Sequence, residues 1–194
     1  MTQVSADSFF DWFTKKTTYL TDQDFKILDV LRELAKATQE GYHTDAFVNN
    51  QSDKALSIVE EAQGEIQQYK TDLSNFNLSS GLEEIRNRCS RLLDEWETCF
   101  NLRHEWANSL KKGYTEKSVE LWSKANDHSA IANEETGEII LLFDPLLTEI
   151  RTKESQQVIK EKEIIREIVK IRCPYRGKLY NETDNTCPHC GASR

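Results

Sequence analysis

Three cysteines near the end of the chain have the residue type and the spacing of a metal site. Cys187 and Cys190 are separated by two residues and are followed by a glycine. Two thiolates at this spacing can bind one tetrahedral zinc ion when the turn between them is tight, and the glycine allows that turn. Cys173 begins a related segment, in which Arg176 stands where a second cysteine would be. The spacing predicts Cys173, Cys187 and Cys190 as ligands of a Zn²⁺ ion, with the fourth ligand missing at Arg176.

Residues 172–194 resemble a zinc ribbon of the two-knuckle, rubredoxin-like kind, a small terminal module in which each knuckle supplies two ligands. The resemblance implies a small β module that holds zinc, and it covers only this last part of the chain. It matches Cys173, Cys187 and Cys190 with ligands and departs at Arg176. The guanidinium group stays protonated and offers no acceptor to a metal ion.

Three interpretations of the incomplete first knuckle stay open. In the first, zinc is held by the three cysteines together with His189, another side chain or water. In the second, metal binding is weak or absent, and the module is stabilised by packing on Leu179 and Tyr180. In the third, Arg176 is a substitution introduced into the chain. We expect a structural site without chemistry of its own.

No other group of residues predicts catalysis. Glu40 and His43 have the spacing of a di-iron Glu-x-x-His motif, but Gly41 interrupts the helix between them and a second copy is missing. Residues 127–129 read Asp-His-Ser, and three consecutive residues cannot line up around one acyl group as a triad. The sequence contains no phosphate-loop, zinc-protease or nucleophile-elbow motif. We therefore expect that the protein is not an enzyme.

The charge is distributed unevenly along the chain. The formal net charge is −8, and residues 170–194 carry five basic and two acidic side chains, which leaves −11 on the rest. An acidic body repels nucleic acid and anionic membranes, whereas the basic tail does not. No apolar run approaches the roughly 18 residues that span a bilayer. The N-terminus lacks the basic segment of a signal peptide. These features, with five cysteines, predict a protein of the reducing cytoplasm.

Few breaks interrupt the chain, which favours long helices. It has seven glycines and three prolines, and no proline precedes position 145. Apolar residues repeat at spacings of three and four over 55–76 and again over 82–110. This pattern predicts two helices that pair as an antiparallel coiled-coil hairpin, the first of them capped by Ser52.

The seam of this predicted hairpin includes residues that are not ordinary apolar ones. Cys89 and Cys99 lie on it and are expected to act as small buried hydrophobic residues. Arg103 also lies on it, and it is expected at the end of the bundle, extended toward solvent or paired with a carboxylate.

The remaining elements are predicted from cap signals. A short first helix is expected before Thr21, which would cap a second one. Residues 41–51 and 126–137 are expected to be loops. The apolar run 139–143 favours a helix, and Asp144-Pro145 would begin the last helix, which runs to about Ile171.

Together these patterns predict an all-α fold, an elongated helical bundle with a long antiparallel coiled-coil hairpin over residues 1–171. A small zinc-ribbon-like β module follows at 172–194. We expect a non-enzymatic adaptor or scaffold that binds protein partners, or a second copy of itself, through the hairpin and the terminal module. The alternative is a nucleic-acid-associated zinc-ribbon protein that regulates a DNA- or RNA-handling complex, because the tail is basic. An enzyme with a site in a pocket between helices is the third hypothesis.

Overall fold

The computed structural model describes residues 3–42, 44–113, 116–168, 170–173, 175–181, 186–188 and 190–192. The chain divides into two compact units, Met1–Pro145 and Leu146–Arg194. The domain boundary that the sequence predicts, between Ile171 and Arg172, stays a prediction. No helix among these residues is both long and apolar enough to cross a membrane.

Helix α1, Ala6–Glu40, is one uninterrupted helix. Ser5 caps its start by accepting a hydrogen bond from the backbone N–H of Ser8, and Gly41 ends it with a left-handed φ of 78°. The predicted second start at Thr21 was wrong. The residues that follow it, Gln23 and Asp24, are buried within the helix instead of lying at an exposed first turn.

Helices α2, Asp45–Asn75, and α3, Glu83–Leu110, form the predicted antiparallel pair. The Lys70 ammonium lies 2.6 Å from Asp94 and from Glu97, while Gln63 donates to Asn101 nearer the other end. The apolar seam predicted from the sequence is buried along both helices. The buried seam comprises Ala55, Val59, Ala62, Ile66, Tyr69 and Leu73 on α2, and Leu82, Ile85, Cys89, Leu92, Trp96, Cys99, Arg103, Trp106 and Leu110 at and along α3.

Helix α2 begins earlier in the chain than the sequence predicts. Thr44 caps α2 by accepting from the backbone N–H of Phe47, so most of the predicted 41–51 loop is helical. Ser52, expected as the cap, is fully buried and donates its hydroxyl hydrogen to the carbonyl of Ala107 on α3. A polar residue that looks like a cap in the sequence therefore serves as a contact between two helices.

Helix α4, Glu116–Ile168, corrects two further predictions. The segment 126–137, expected as a loop, is helical, and Pro145 lies inside the helix instead of beginning a new one. Segment 139–143 is helical, as predicted. Proline has no N–H to donate, so the helical hydrogen bond to the carbonyl of Leu141 is missing. Within the first unit α4 runs antiparallel to α1, and Phe143 packs against Phe9, Phe10 and Phe13.

The second unit contains the end of α4 and two short strands. Strand β1, Lys170–Arg172, pairs antiparallel with β2, Leu179–Asn181, with Ile171 opposite Tyr180. The first cysteine of the predicted metal site follows β1 directly. This hairpin is all the strand structure that the described residues contain, and the assignment to the zinc-ribbon fold stays a prediction.

Candidate metal centre

The structure brings the three predicted cysteines together. The Sγ atoms of Cys173, Cys187 and Cys190 all lie within 4.8 Å of one another. Cys173 and Cys187 are buried against each other, whereas Cys190 is exposed. Residues far apart in the sequence thus meet at one point, which is the arrangement that a metal ion requires. Their role as ligands stays a prediction.

Two turns with the same hydrogen bonds hold these sulfurs. In the first, Cys173 donates its N–H to the carbonyl of Lys178 and accepts at its own carbonyl from Gly177, both at 2.8 Å. In the second, Cys187 donates to Ala192 at 3.0 Å and accepts from Gly191 at 2.8 Å. These two hydrogen bonds span the same number of residues in both turns, and the second turn has a further one at 3.4 Å from the N–H of Cys190 to the carbonyl of Cys187.

Both glycines are required by the conformation of the turns. Gly177 has a φ of 63° and Gly191 a φ of 72°, which is the left-handed region. No heavy atom would contact a Cβ at either position, so space is not the constraint. The sequence therefore specifies each turn by its first cysteine and by the glycine four residues later.

The distance between the sulfurs fits a shared metal ion better than a disulfide. The Sγ atoms of Cys173 and Cys190 are 3.3 Å apart. A disulfide places its sulfurs about 2.05 Å apart. Two thiolates on one tetrahedral zinc ion, each at about 2.3 Å from it, lie about 3.8 Å apart. All five cysteines are free thiols, and a small opening of the cluster would admit a thiophilic cation.

Two of these thiols share hydrogen bonds that shift their pKa in opposite directions. Burial disfavours the Cys173 thiolate, but hydrogen bonds from the Cys190 thiol and from backbone N–H groups outweigh it and lower the pKa of Cys173 to about 7. The backbone of Ala192 favours the Cys190 thiolate, yet the bond to Cys173 prevails and raises the pKa of Cys190. Cys173 is therefore the first of the two to become a thiolate.

Among the described residues, the cluster contains three thiols, and an arginine stands at the remaining position of the predicted two-knuckle pattern. Arg176 occupies the position equivalent to Cys190 in the first turn, and its side chain is exposed. His189, the histidine considered as a fourth ligand, lies outside the described residues. Leu179, on which a metal-free module would pack, is 54% exposed and contributes little buried apolar surface. The side chain of Tyr180 also lies outside the described part.

Cys89 and Cys99 form no part of this centre. Both are buried on α3, and burial raises the pKa of each thiol to about 12. Since only a thiolate binds metal or reacts readily, these two thiols are inert at neutral pH. The sequence prediction that they are small hydrophobic seam residues agrees with their burial.

A buried polar cluster in the first unit was missed by the sequence reasoning. The Arg103 guanidinium is fully buried and pairs with Asp24, while Nη2 also donates to Asn126 at 2.8 Å. Ser129 donates to the other oxygen of Asp24 at 2.8 Å. The guanidinium carbon also lies 3.7 Å from the ring centroid of Trp122. Pairing with a carboxylate was one of the expectations for Arg103, but no local signal pointed to Asp24 as the partner.

The described residues of the Asp-His-Ser run do not converge on one site. Ser129 belongs to the cluster around Asp24, whereas His128, its neighbour, lies 2.7 Å from Glu95 and is partly exposed. Glu40 is the last residue of α1, and His43 lies outside the described residues.

Comparison with known proteins gives no match, since no family model, curated protein or solved structure is significantly similar to this chain.

Proposed function

We propose that this protein is a non-enzymatic adaptor, and that a zinc ion held by Cys173, Cys187 and Cys190 stabilises a terminal module that binds a partner protein. The observation that carries the proposal is the exposure of two large apolar side chains in the short segment that follows Cys173. Tyr175 is 78% exposed and Leu179 is 54% exposed, whereas Cys173, which precedes both of them in the chain, is buried. Exposed aromatic side chains on a small rigid turn are typical of protein contacts.

Zinc would act here as a cross-link between the two turns. In the described part of the second unit, a short strand pair and the two buried cysteines lie at the point where the two turns meet, so a bound ion there would join them. Metal binding by thiolates supplies folding free energy to such modules. The exposed Tyr175 and Leu179 would then be held in fixed positions at little cost in entropy on partner binding.

The helical unit is the second part of the proposal. The buried seam between α2 and α3 has the spacing of a coiled coil, and we infer that these helices supercoil. Residues 1–169 carry the net charge of −11, which favours partners with a basic surface. The acidic residues would therefore select partners by charge, in addition to the contacts made by Tyr175 and Leu179.

The test uses the full chain, loaded with zinc, as bait in a photo-crosslinking capture. We expect Tyr175→Ala and Leu179→Ala each to reduce the specific partner signal about tenfold or more, while zinc content stays unchanged. Leu141→Ala is the matched control, because Leu141 is 72% exposed but lies in the other unit. Equal capture by all four proteins would contradict the proposal, and light scattering would show whether the captured partner is a second copy.

A nucleic-acid-associated function is the second candidate. It is favoured by the exposed basic side chains of Arg172, Arg176 and Lys178 in the two-turn module. A few phosphate contacts give only weak, salt-dependent binding. Titration of labelled single- and double-stranded DNA and RNA at about 50 mM salt tests it, and the absence of binding there would exclude this candidate.

A further inference from the structure

The thiol cluster contains one pair of sulfurs at a distance from which they can react. The Sγ atoms of Cys173 and Cys190 are 3.3 Å apart, and the Sγ atom of Cys187 lies within 4.8 Å of both. Two atoms form a bond with each other most readily when a protein holds them about 3–3.5 Å apart. The two sulfurs lie in this range as free thiols. A disulfide between them, with a bond of about 2.05 Å, therefore needs only a small further approach.

One member of this pair is accessible to a reagent, and the other lies behind it. Cys190 is exposed, whereas Cys173 is only 1% exposed. An oxidant from solution therefore reaches Cys190 first, and Cys173 is placed to resolve the oxidised sulfur. Accessible thiols with a second cysteine beside them are the ones that oxidants modify selectively. Cys89 and Cys99 do not meet the first condition, because both are buried on α3.

The two cysteines belong to different turns, so a bond between them would cross-link the turns. Cys173 accepts the hydrogen bond that closes the first turn at Gly177, and Cys190 lies inside the second turn, which closes at Gly191. Short turns of this kind open locally at a low cost in free energy. Such an opening lets the two sulfurs cover the remaining distance.

We propose that Cys173 and Cys190 form a reversible disulfide when a peroxide oxidises the cluster. With hydrogen peroxide, the Cys190 sulfur bonds to one oxygen, the O–O bond breaks, and the other oxygen leaves as water with the thiol proton. The Cys173 sulfur then attacks the Cys190 sulfur. An S–S bond replaces the S–O bond, and a second water leaves with the Cys173 proton. The two thiols lose two electrons in all, and the peroxide gains them.

The disulfide would regulate the function proposed above, and this part of the inference rests on that function. Thiolates bind metal, and a sulfur in a disulfide is no longer a thiolate. Oxidation would therefore remove two of the three proposed zinc ligands and release the ion. A reducing dithiol would restore both thiols and allow zinc to bind again.

Trypsin makes a direct test possible in the full chain, because it separates the two cysteines. Cleavage after arginine and lysine leaves Cys173 in peptide 173–176 and the other two cysteines of the cluster in peptide 179–194. We expect an equimolar amount of hydrogen peroxide, followed by alkylation of the remaining thiols, to yield these peptides joined, and dithiothreitol to separate them. The peptides should be joined about tenfold faster or more in the folded chain than in urea, where the fold does not hold the sulfurs together.

Cys187→Ser is the matched control, because it removes a sulfur of the same cluster and keeps the pair. It should join the two peptides as the natural chain does, whereas Cys190→Ser should join them about tenfold more slowly or less. Fragmentation of the joined peptides identifies the bonded cysteine in the natural chain, without any substitution.

Several results would overturn the proposal. A bond to Cys187 in place of Cys190, or a disulfide confined to peptide 179–194, would assign the pair wrongly. Oxidation of Cys190 to the sulfinic acid without a cross-link would show that Cys173 does not resolve it. Equal rates in the folded chain and in urea would show that the fold does not position the two sulfurs.

Zinc release separates this inference from the proposed function. In the zinc-loaded chain, a chromogenic chelator should detect zinc in step with the joined peptides. A disulfide in a chain that binds no zinc would support the pair and contradict the proposed function. Zinc binding and partner capture in a chain that forms no disulfide would contradict this inference alone.

Discussion

Arg103 on α3 and Asp24 on α1 form an ion pair inside the first unit, with both Nε and Nη2 of the guanidinium 3.1 Å from one carboxylate oxygen. Both residues are buried, at 0% and 5% exposure. A buried pair of this kind adds little net stability, but it fixes which helices meet and at which level. The remaining nitrogen, Nη1, has no partner within the described residues, so the pair is satisfied only in part.

Removal of one partner of this pair should strongly destabilise the first unit. Asp24→Asn leaves a buried guanidinium without a counter-charge, and we expect a loss of about 3–5 kcal/mol in the free energy of unfolding. Urea unfolding followed by the helical circular dichroism signal measures it. Lys124→Met is the matched control, because it removes an exposed ion pair with Glu120 and should change the free energy of unfolding only slightly. Equal effects of the two variants would show that Arg103 does not depend on Asp24.

Replacement of glycine by alanine should raise the free energy of unfolding at Gly64 and lower it at Gly41. Gly64 lies inside α2 with nothing near its Cβ position, so Gly64→Ala should stabilise the helix by about 1 kcal/mol. Gly41 ends α1 at a φ of 78°, where an alanine side chain is strained, and Gly41→Ala should cost about 1–2 kcal/mol. Thermal unfolding of both variants measures this difference. Stabilisation by both would mean that α1 does not end in a left-handed residue.

The five cysteines should separate into two classes by alkylation rate in the metal-free protein. In the native protein iodoacetamide should modify the exposed Cys190 directly and the buried Cys173 and Cys187 when their two short turns open locally. Cys89 and Cys99 should react only after the helical unit unfolds, because they are buried on α3 and burial raises the pKa of each to about 12. Peptide mass spectrometry gives the rate at each site.

The pH dependence of the same reaction provides a second, independent prediction. The pKa of Cys173 is lowered to about 7, so its thiolate fraction and its alkylation rate should rise as pH increases through 7 and level off above it. The rate at Cys190 should rise only at higher pH, because its pKa is raised. A half-maximal rate for Cys173 near pH 9 would contradict the hydrogen bonds assigned to its sulfur.

The zinc content of single variants should show which cysteines bind the ion and whether a cysteine at position 176 adds a ligand. Cys187→Ser should lose zinc, and Cys89→Ser should keep it, since Cys89 lies in the other unit. Arg176→Cys should raise zinc affinity because it supplies a fourth thiolate. Metal analysis and competition with a chelator measure both. If zinc is found only in Arg176→Cys, three thiolates do not suffice in the natural chain.

The sequence predicted those elements that depend on residues close together in the chain. The seam of α2 and α3 could be predicted because the spacing of apolar residues reports directly which face is buried. The two turns of the metal centre could be predicted for the same reason, since each depends on a cysteine and a glycine a few residues apart. Whether a fourth ligand completes the cluster could not be predicted, because that depends on residues brought near the sulfurs in space and not on local spacing.

The predictions of helix breaks were wrong where a polar residue pairs with a residue far away in the sequence. Thr21 to Asp24 reads as a helix start, yet Asp24 pairs with Arg103, which lies 79 positions later. Residues 126–137 read as a loop because they are polar, yet Asn126 and Ser129 face the same buried cluster. The sequence does not show whether a polar side chain makes its hydrogen bonds to another helix or to water.

The two turns would allow the proposed metal affinity to change without a change of fold. Their backbone form depends on Cys173, Cys187 and the two left-handed glycines, whereas position 176 affects only the number of ligands. Arginine and cysteine codons can differ by one nucleotide. If the cluster binds zinc as proposed, a single mutational step at position 176 would therefore add or remove one thiol while the two left-handed glycines keep both turns in place.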